Sequence, residues 1–138
     1  VFPLLAGPLF LWVLLGNLIA NLLRNLWTST IIFCGHFTSD VHTFTQEQCE
    51  NETQGQWYYR QALGSSNISG GKLFHILTGH LSFQIEHHLF PDLPSSRYQQ
   101  VAPQVQEILC RHGIAYHTGP FLRQYSQVIK RILRYSLP

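Results

Sequence analysis

The segment VFPLLAGPLFLWVLLGNLIANLL, residues 1–23, has no charged side chain and consists mainly of apolar residues. Because a helix rises about 1.5 Å per residue, about 20 apolar residues span the hydrocarbon core of a bilayer. A soluble core helix of this length normally has a polar face. A signal peptide has a basic start and a cleavage site such as Ala-x-Ala, and neither is present. The segment therefore predicts a membrane-embedded helix.

The apolar pattern continues past Arg24 and Trp27, so we predict a transmembrane helix region over residues 1–34. Arg24 and Trp27 are expected near the membrane interface, where such side chains anchor a span. Pro3 and Pro8 are expected to break the first turn or two, because each lacks a backbone donor.

The composition excludes several classes of protein. Charged residues make up 12% of the chain, against about 25% in a typical soluble domain, and this hydrophobicity excludes disorder. A net charge of +2 does not indicate a nucleic-acid partner. Three widely spaced cysteines predict neither a disulfide scaffold nor a cysteine zinc site. The eight histidines against seven carboxylates direct attention to histidine chemistry.

The middle of the chain, residues 35–71, is polar and locally acidic. Gln56–Leu63 is predicted to form a short helix, and SSNISGG, residues 65–71, has the composition of a loop. Glycosylation patterns begin at Asn51 and Asn67. We interpret both as chance matches, because the segment is expected on the cytoplasmic side of the membrane.

The remainder of the chain predicts further helices. Lys72–Leu89 has a helical pattern, FPDLP over residues 90–94 is a rigid turn, and a helix beginning at Ser95 is expected to end at Gly113. The predicted fold is therefore all-α: a membrane-embedded protein with one long transmembrane helix and a cytosolic cap of helices over residues 35–138.

The last segment, FLRQYSQVIKRILRYSLP over residues 121–138, is amphipathic and basic. Its apolar residues form one stripe: Leu122, Tyr125, Ile129, Ile132 and Leu133. Such a helix either lies on an anionic membrane surface or packs on the core as an ordinary surface helix. From Arg97 onward there are six Lys or Arg and one acidic residue, which predicts that the histidine-rich segment and the C-terminus are cytoplasmic.

The segment GHLSFQIEHHLF, residues 79–90, carries the strongest functional signal. On a continuous helix, His80, Gln84, His87 and His88 share one polar face, whereas Glu86 lies off it. Neutral imidazole is the commonest metal ligand in proteins. This face therefore predicts a site for one metal, or a bridge between two. The alternative is a set of ordinary hydrogen-bonded histidines.

His36 is a further candidate, because it follows an apolar run and lies where the first helix is expected to leave the membrane. An interfacial histidine without a function is the alternative. His42 and Asp40 are weaker candidates in polar sequence. Three histidines, off the polar face or in a solvent-facing tail, are predicted not to be ligands: His75, His112 and His117. The motifs H-E-x-x-H and G-x-S-x-G and a glycine-rich phosphate loop do not occur.

The stretch QIEHHLFPDLP, Gln84–Pro94, resembles the third histidine box of the membrane fatty acid desaturases. The leading glutamine is similar to the front-end branch, which acts between an existing double bond and the carboxyl end of the acyl chain. The similarity runs through Gly79–Pro120, includes WYYRQALGSSN at Trp57–Asn67, and includes IIFCGHF, where the family has an additional iron ligand. It extends over about residues 14–125.

The resemblance implies four membrane helices with a cytosolic cap and two irons at the membrane face. It implies that His36, His87 and His88 are iron ligands and that Gln84 is a ligand or a hydrogen-bonding neighbour of one. His80 occupies a position that varies among relatives and is a weaker candidate. The implied reaction uses O2 to introduce a double bond into a fatty acyl-CoA or acyl-lipid. The electrons come from cytochrome b5 or a ferredoxin, and membrane lipid surrounds the enzyme.

The chain also departs from the family pattern. The two earlier histidine boxes, H-x-x-x-H and H-x-x-H-H, are absent, and three or four ligands cannot hold two irons. Because the chain has no methionine and begins with Val1, we expect it to be the C-terminal part of a desaturase that is inactive by itself. Two alternatives stay open: a related di-iron hydroxylase, and a metal-free membrane scaffold that keeps the fold.

Overall fold

The computed structural model describes residues 2–137. Val1, the first residue of the predicted membrane helix, and Pro138, the last residue of the tail, lie outside the described residues. The chain divides into two units, Val1–Thr30 and Ile31–Pro138. The described part is mostly helical. Its helices are α1 (Phe2–Leu5), α2 (Phe10–His36), α3 (Gln46–Cys49), α4 (Gln54–Leu63), α5 (Lys72–Leu77), α6 (Gln84–Leu89), α7 (Tyr98–Arg111) and α8 (Phe121–Ser136).

The first unit contains α1, a 3₁₀ turn at Gly7–Leu9 and most of α2. Pro8 lies in that turn, and Gly7 has a positive φ of 54°, which confirms the predicted break near the prolines. Gly7–His36 is long and apolar enough to cross a membrane, with a mean hydropathy of 1.5 and none of its most apolar window buried. The 27 residues of α2 extend over about 40 Å, more than the roughly 30 Å of a bilayer core.

The second unit has two small apolar cores. One joins α4, α6 and α7 through buried Ala62, Ile85, Leu89, Val105 and Leu109. The other joins the end of α2 to later segments through buried Ile31, Cys34, Ile68 and Val128. These cores fix the positions of α6 and of the last turns of α2 within the unit.

The prediction of a mostly helical fold is confirmed, but two short strands add to the helices, and one of them replaces part of the loop predicted at residues 65–71. β1 (Asn67–Ser69) pairs in parallel with β2 (Thr118–Pro120), and Ile68 lies opposite Gly119. Ile68 is buried, so pairing satisfies backbone groups that burial removes from water. Strands of three residues are too short for a sequence period to indicate them.

The predicted continuous helix over residues 72–89 is wrong. Helix α5 ends at Leu77, and α6 begins only at Gln84. Gly79 and His80 have positive φ angles of 60° and 63°, a conformation that glycine favours and that a helix cannot contain. Short polar side chains stabilise the break, because Ser82 Oγ accepts from Thr78 Oγ1 at 3.2 Å and lies 2.7 Å from His75 Nδ1.

The other predicted helices are confirmed. α4 covers the predicted Gln56–Leu63 and starts two residues earlier, where a Thr53 capping box satisfies its first turn. A 3₁₀ turn at Ser95–Arg97 leads into α7. Gly113, with a φ of 68°, ends α7 in the way that a glycine after a helix commonly does.

Candidate metal centre

Helix α6 presents the histidine box because its other face is packed. Ile85 and Leu89 are buried in the apolar core with α4 and α7. Residues i and i+4 lie one above the other on a helix, so Gln84 and His88 share a second face, about 100° around the helix from Ile85 and Leu89. The sequence QIEHHL thus alternates packing residues with polar residues that face another part of the chain.

Three side-chain nitrogens meet on this face. His36 Nε2 lies 3.3 Å from His88 Nε2, and Gln84 Nε2 lies 3.0 Å from the first and 3.3 Å from the second. The two imidazole planes are nearly perpendicular, at 89°. The structure therefore brings together His36, Gln84 and His88, three of the five predicted site residues.

Gly35 makes the approach of α2 to α6 possible. A Cβ atom at this position would lie 2.8 Å from Gln84 Cγ, 3.2 Å from Cδ and 3.3 Å from Cβ. Since real Cβ atoms do not approach a neighbour to 2.8 Å, any side chain at residue 35 would displace Gln84 from the histidines. Gly35 thus contributes to the site without a functional group, a role that the sequence did not reveal.

The tautomer of His36 follows from its second nitrogen. His36 Nδ1 lies 3.4 Å from the carbonyl oxygen of Gly64, and a carbonyl can only accept, so Nδ1 carries the proton. The unprotonated Nε2 can then accept a hydrogen bond from Gln84 Nε2 at 3.0 Å, and it lies 3.3 Å from His88 Nε2. A histidine whose Nδ1–H is held by a carbonyl keeps the lone pair of Nε2 available to a donor or to a metal, which is the usual arrangement of a metal ligand.

The hydrogen bonds of the trio are incomplete in a way that a cation would resolve. Gln84 is buried, and its Oε1 has no partner. Two neutral imidazole nitrogens that face each other share one hydrogen bond at most. Nitrogens held about 2.1 Å from one ion at tetrahedral or octahedral angles are separated by about 3.0–3.4 Å, which includes the 3.3 Å observed. The residues therefore fit a metal ion.

The electrostatics keep His88 in its ligand form. Burial is the main cause that lowers the pKa of His88 to about 4, and the nearby rings of His36 and His87 contribute to the same shift. A neutral imidazole is what a metal requires, because the protonated ring has no lone pair to give. His88 is therefore neutral at physiological pH without any metal present.

His87 lies beside the trio and has a different partner. Its Nδ1 lies 3.1 Å from the hydroxyl of Tyr98, which is buried, and its ring centroid lies 5.6 Å from that of His88. The hydroxyl fixes the orientation of the ring and leaves Nε2 as the nitrogen available to a ligand.

The structure does not bring His80 onto this face. His80 lies in the left-handed turn before α6, next to His75, and its Nδ1 is buried without a hydrogen-bond partner. The helical-face argument that included His80 fails because the helix is interrupted. His42 and Asp40 are exposed and take no part in the trio.

The three predicted non-ligands lie elsewhere in the structure. His75 is buried and engages Ser82, and burial lowers its pKa. His112 is exposed, as the sequence predicts. His117 was expected to face solvent but is half-buried, and its Nε2 has no partner, because β2 holds the segment that follows it against β1.

Sequence reasoning missed the network around Glu86, which is fully buried. Glu86 Oε2 accepts from Asn67 Nδ2 at 2.7 Å, and Oε1 accepts from the hydroxyl of Tyr116 at 2.8 Å. Asn67 Oδ1 in turn accepts from the backbone N–H of Ile85 at 2.8 Å. Burial raises the pKa of Glu86, while both donors oppose that shift. The sequence did contain a signal, because Glu86 directly precedes a histidine pair in a largely apolar chain. A carboxylate that is buried in such surroundings requires hydrogen-bond donors.

The chain supplies only part of a ligand set. Residues 2–137 contain no group of three or more His, Cys, Asp or Glu side chains that could hold a metal ion. The trio has two histidines and an amide. It is therefore a partial centre that other ligands would have to complete.

Comparison with known proteins gives a consistent picture. The family model described as "Fatty acid desaturase" matches residues 1–120. The chain is 41% identical over 132 residues to an NADPH-dependent stearoyl-CoA 9-desaturase of Mycobacterium tuberculosis, which covers 96% of this chain and 31% of that protein. It is 33% identical over 125 residues to an acyl-lipid 8-desaturase of Rebecca salina, with 88% and 28% covered.

A third relative is fatty acid desaturase 3 of Homo sapiens, 29% identical over 120 residues, with 87% of this chain and 25% of that protein covered. The chain thus spans about a third or less of the length of these relatives. No solved structure matches it.

Proposed function

The chain belongs to the fatty acid desaturase family, and from this premise we propose that it is the C-terminal part of an O2-dependent di-iron desaturase that introduces a double bond into an acyl chain. The observation that carries the proposal is the convergence of His36, Gln84 and His88 on one point, with Nε2 atoms 3.3 Å apart. We further propose that QIEHH is the third histidine box of the front-end branch.

Each residue of the box has its own part in this proposal. His36 and His88 hold iron through Nε2, and Gln84 is a ligand or donates a hydrogen bond to one. His87, oriented by Tyr98, provides the remaining box ligand. His80 stays a weaker prediction, since it lies outside the trio. Imidazole ligation suits iron and also zinc, so the family supports the choice of iron.

Bound iron would supply the O2-dependent removal of two hydrogens from adjacent acyl carbons, chemistry that belongs to the cofactor. The chain's own residues orient the ligand rings and exclude water from them. The Gly64 carbonyl holds the proton of His36 on Nδ1, and burial keeps His88 unprotonated. The cores on the other side of α6 keep these rings in place during turnover.

The membrane placement is part of the same proposal. Residues 1–34 form the transmembrane helix region, and residues 35–138 form a cap on the cytoplasmic side, as the excess of basic residues after Arg97 predicts. The substrate is a fatty acyl-CoA or acyl-lipid, in keeping with the substrates named for the stearoyl-CoA 9-desaturase and the acyl-lipid 8-desaturase. The electron donor is cytochrome b5 or a ferredoxin.

Iron content and product analysis of the detergent-purified protein that contains this chain test the proposal. We expect about two irons, a double bond in the product, and loss of both in His36→Ala. The control His42→Ala changes an exposed histidine six residues away and should keep both. A hydroxylated product would support the hydroxylase. Absence of iron from the purified protein that contains this chain would contradict the proposal and favour the metal-free membrane scaffold.

A further inference from the structure

Helix α8 packs on the second unit through a side that the sequence did not indicate. Its buried residues are Gln124 and Val128. Gln124 Nε2 donates to the carbonyl oxygen of Asn67 at 2.6 Å and to Ser66 Oγ at 2.8 Å, and Val128 belongs to the core with Ile68. The side that faces the protein is therefore defined by one glutamine and one valine.

The predicted apolar stripe of α8 consequently stays uncovered. Every member is exposed, from 38% to 77% of its surface: Leu122, Tyr125, Ile129, Ile132 and Leu133. A monomeric soluble protein rarely leaves so many large apolar side chains exposed in one row. Within residues 2–137, α8 therefore packs on the core through Gln124 and Val128 and not through its stripe.

The opposite side of α8 is strongly basic. Lys130, Arg131 and Arg134 line a groove with Ser39 and Tyr135, and the sixteen residues of α8 include no Asp or Glu. A helix with an apolar stripe and a Lys- and Arg-rich polar side matches the pattern of helices that lie in the plane of an anionic membrane surface.

The chain also fixes the level at which α8 lies. Arg131 donates to the carbonyl oxygen of Thr38 at 3.0 Å. Thr38 lies two residues after His36, and His36 is the last residue of the segment that is long enough to cross a membrane. Under the proposed membrane span of residues 7–36, this contact ties α8 to the residues at which the span ends, at the level of phospholipid phosphates.

We propose that α8 is an in-plane membrane helix. Its stripe enters the acyl boundary, and its basic side engages the phosphates of anionic lipids. The proposal rests on the proposed membrane span of residues 7–36 but not on desaturation. An experiment that contradicts the desaturase function therefore does not contradict the membrane position of α8, and the reverse also holds. The occupant is the lipid surface rather than another protein.

A nitroxide spin label tests the position of the stripe. It is attached at Leu133→Cys, or at the control Arg123→Cys, an exposed position on the basic side of the same helix, in a chain carrying Cys49→Ser and Cys110→Ser and reconstituted into phosphatidylglycerol-containing vesicles. We expect high O2 and low water-soluble nickel accessibility at residue 133, and the reverse at residue 123. Equal nickel accessibility at the two positions would overturn the proposal, as would shielding of residue 133 from both reagents, since a protein would then cover the stripe.

Lipid retention tests the basic side. Native mass spectrometry of the detergent-solubilised chain compares phosphatidylglycerol with phosphatidylcholine. Lys130→Gln/Arg134→Gln should weaken phosphatidylglycerol retention by roughly thirty-fold, because each cation at an anionic surface is worth about fivefold. The control Lys72→Gln/Arg97→Gln removes the same charge outside the groove and should have little effect. Equal losses in the two double variants, or no preference for phosphatidylglycerol, would contradict the proposal.

Discussion

The two sides of helix α6 satisfy their polar groups in opposite ways. On one side, Glu86 is fully buried, yet each of its oxygens accepts a hydrogen bond. On the other, Gln84 Oε1 is buried without a partner, and two imidazole nitrogens face each other at 3.3 Å. Folded proteins rarely leave buried polar groups unsatisfied. The difference indicates that the Glu86 side holds the helix in place, whereas the histidine side is arranged for a ligand.

The largest effect is expected on the histidine side. His88→Ala removes one of the two converging Nε2 atoms, so iron binding and activity should be lost while membrane insertion and the Glu86 network persist. Iron analysis and product assay of the protein that contains this chain measure both. His112→Ala changes an exposed histidine and should be nearly silent. If the two variants lose activity equally, the proposed distinction between them has no basis.

A substitution on the Glu86 side should lower the stability of the fold rather than the affinity for metal. Glu86→Ala removes the acceptor of the Tyr116 hydroxyl and one of the two acceptors of Asn67 Nδ2, whose other acceptor is that hydroxyl. The loss should lower the free energy of unfolding by about 1–3 kcal/mol. Denaturant unfolding followed by circular dichroism measures the change. In the control Glu107→Ala, an exposed ion pair with Arg111 is lost, at a cost of about 0.5 kcal/mol or less. A Glu86 variant as stable as the control would contradict the structural role.

The sequence revealed the histidine side and not the Glu86 side, for a physical reason. His36, Gln84, His87 and His88 are recognisable by residue type and local spacing alone. The partners of Glu86 come from Asn67 and Tyr116, residues 19 and 30 positions away, which only the folded chain brings near.

The same limit explains the errors in secondary structure. Helices α4 and α7 have local caps and periodic apolar residues, so their predicted positions are confirmed. The β1–β2 pair joins segments about fifty residues apart and depends on tertiary contacts. The break before α6 depends on a left-handed pair, Gly79 and His80, within a pattern that otherwise favours helix.

Gly35→Ala sharpens the comparison, because it disturbs the histidine side without removing a ligand. The new methyl group would meet Gln84 Cγ at 2.8 Å, and such overpacking costs about 1–3 kcal/mol. We expect displaced Gln84 and weaker metal affinity. The control is Gly16→Ala in the same helix, where nothing lies within 4 Å of the new Cβ. Metal titration of both variants measures the difference, and equal affinities would show that the close approach is not needed.

The smallest effect is expected from Tyr98→Phe, which removes the hydroxyl beside His87 Nδ1. Loss of such an orienting partner typically lowers metal affinity about 10-fold or somewhat more, with the fold retained. The control Tyr58→Phe changes a 41% exposed tyrosine. A metal competition titration separates the two, and an unchanged affinity for Tyr98→Phe would mean that His87 is not oriented through this contact.

The position of iron in the complete enzyme tests the central claim most directly. Anomalous diffraction at the iron edge, from crystals of the protein that contains this chain, locates the metal without reference to activity. We predict an iron peak about 2.0–2.3 Å from both His36 Nε2 and His88 Nε2. A peak bound by other residues, or an iron-free enzyme in which Gln84 Nε2 still contacts both rings, would contradict the account.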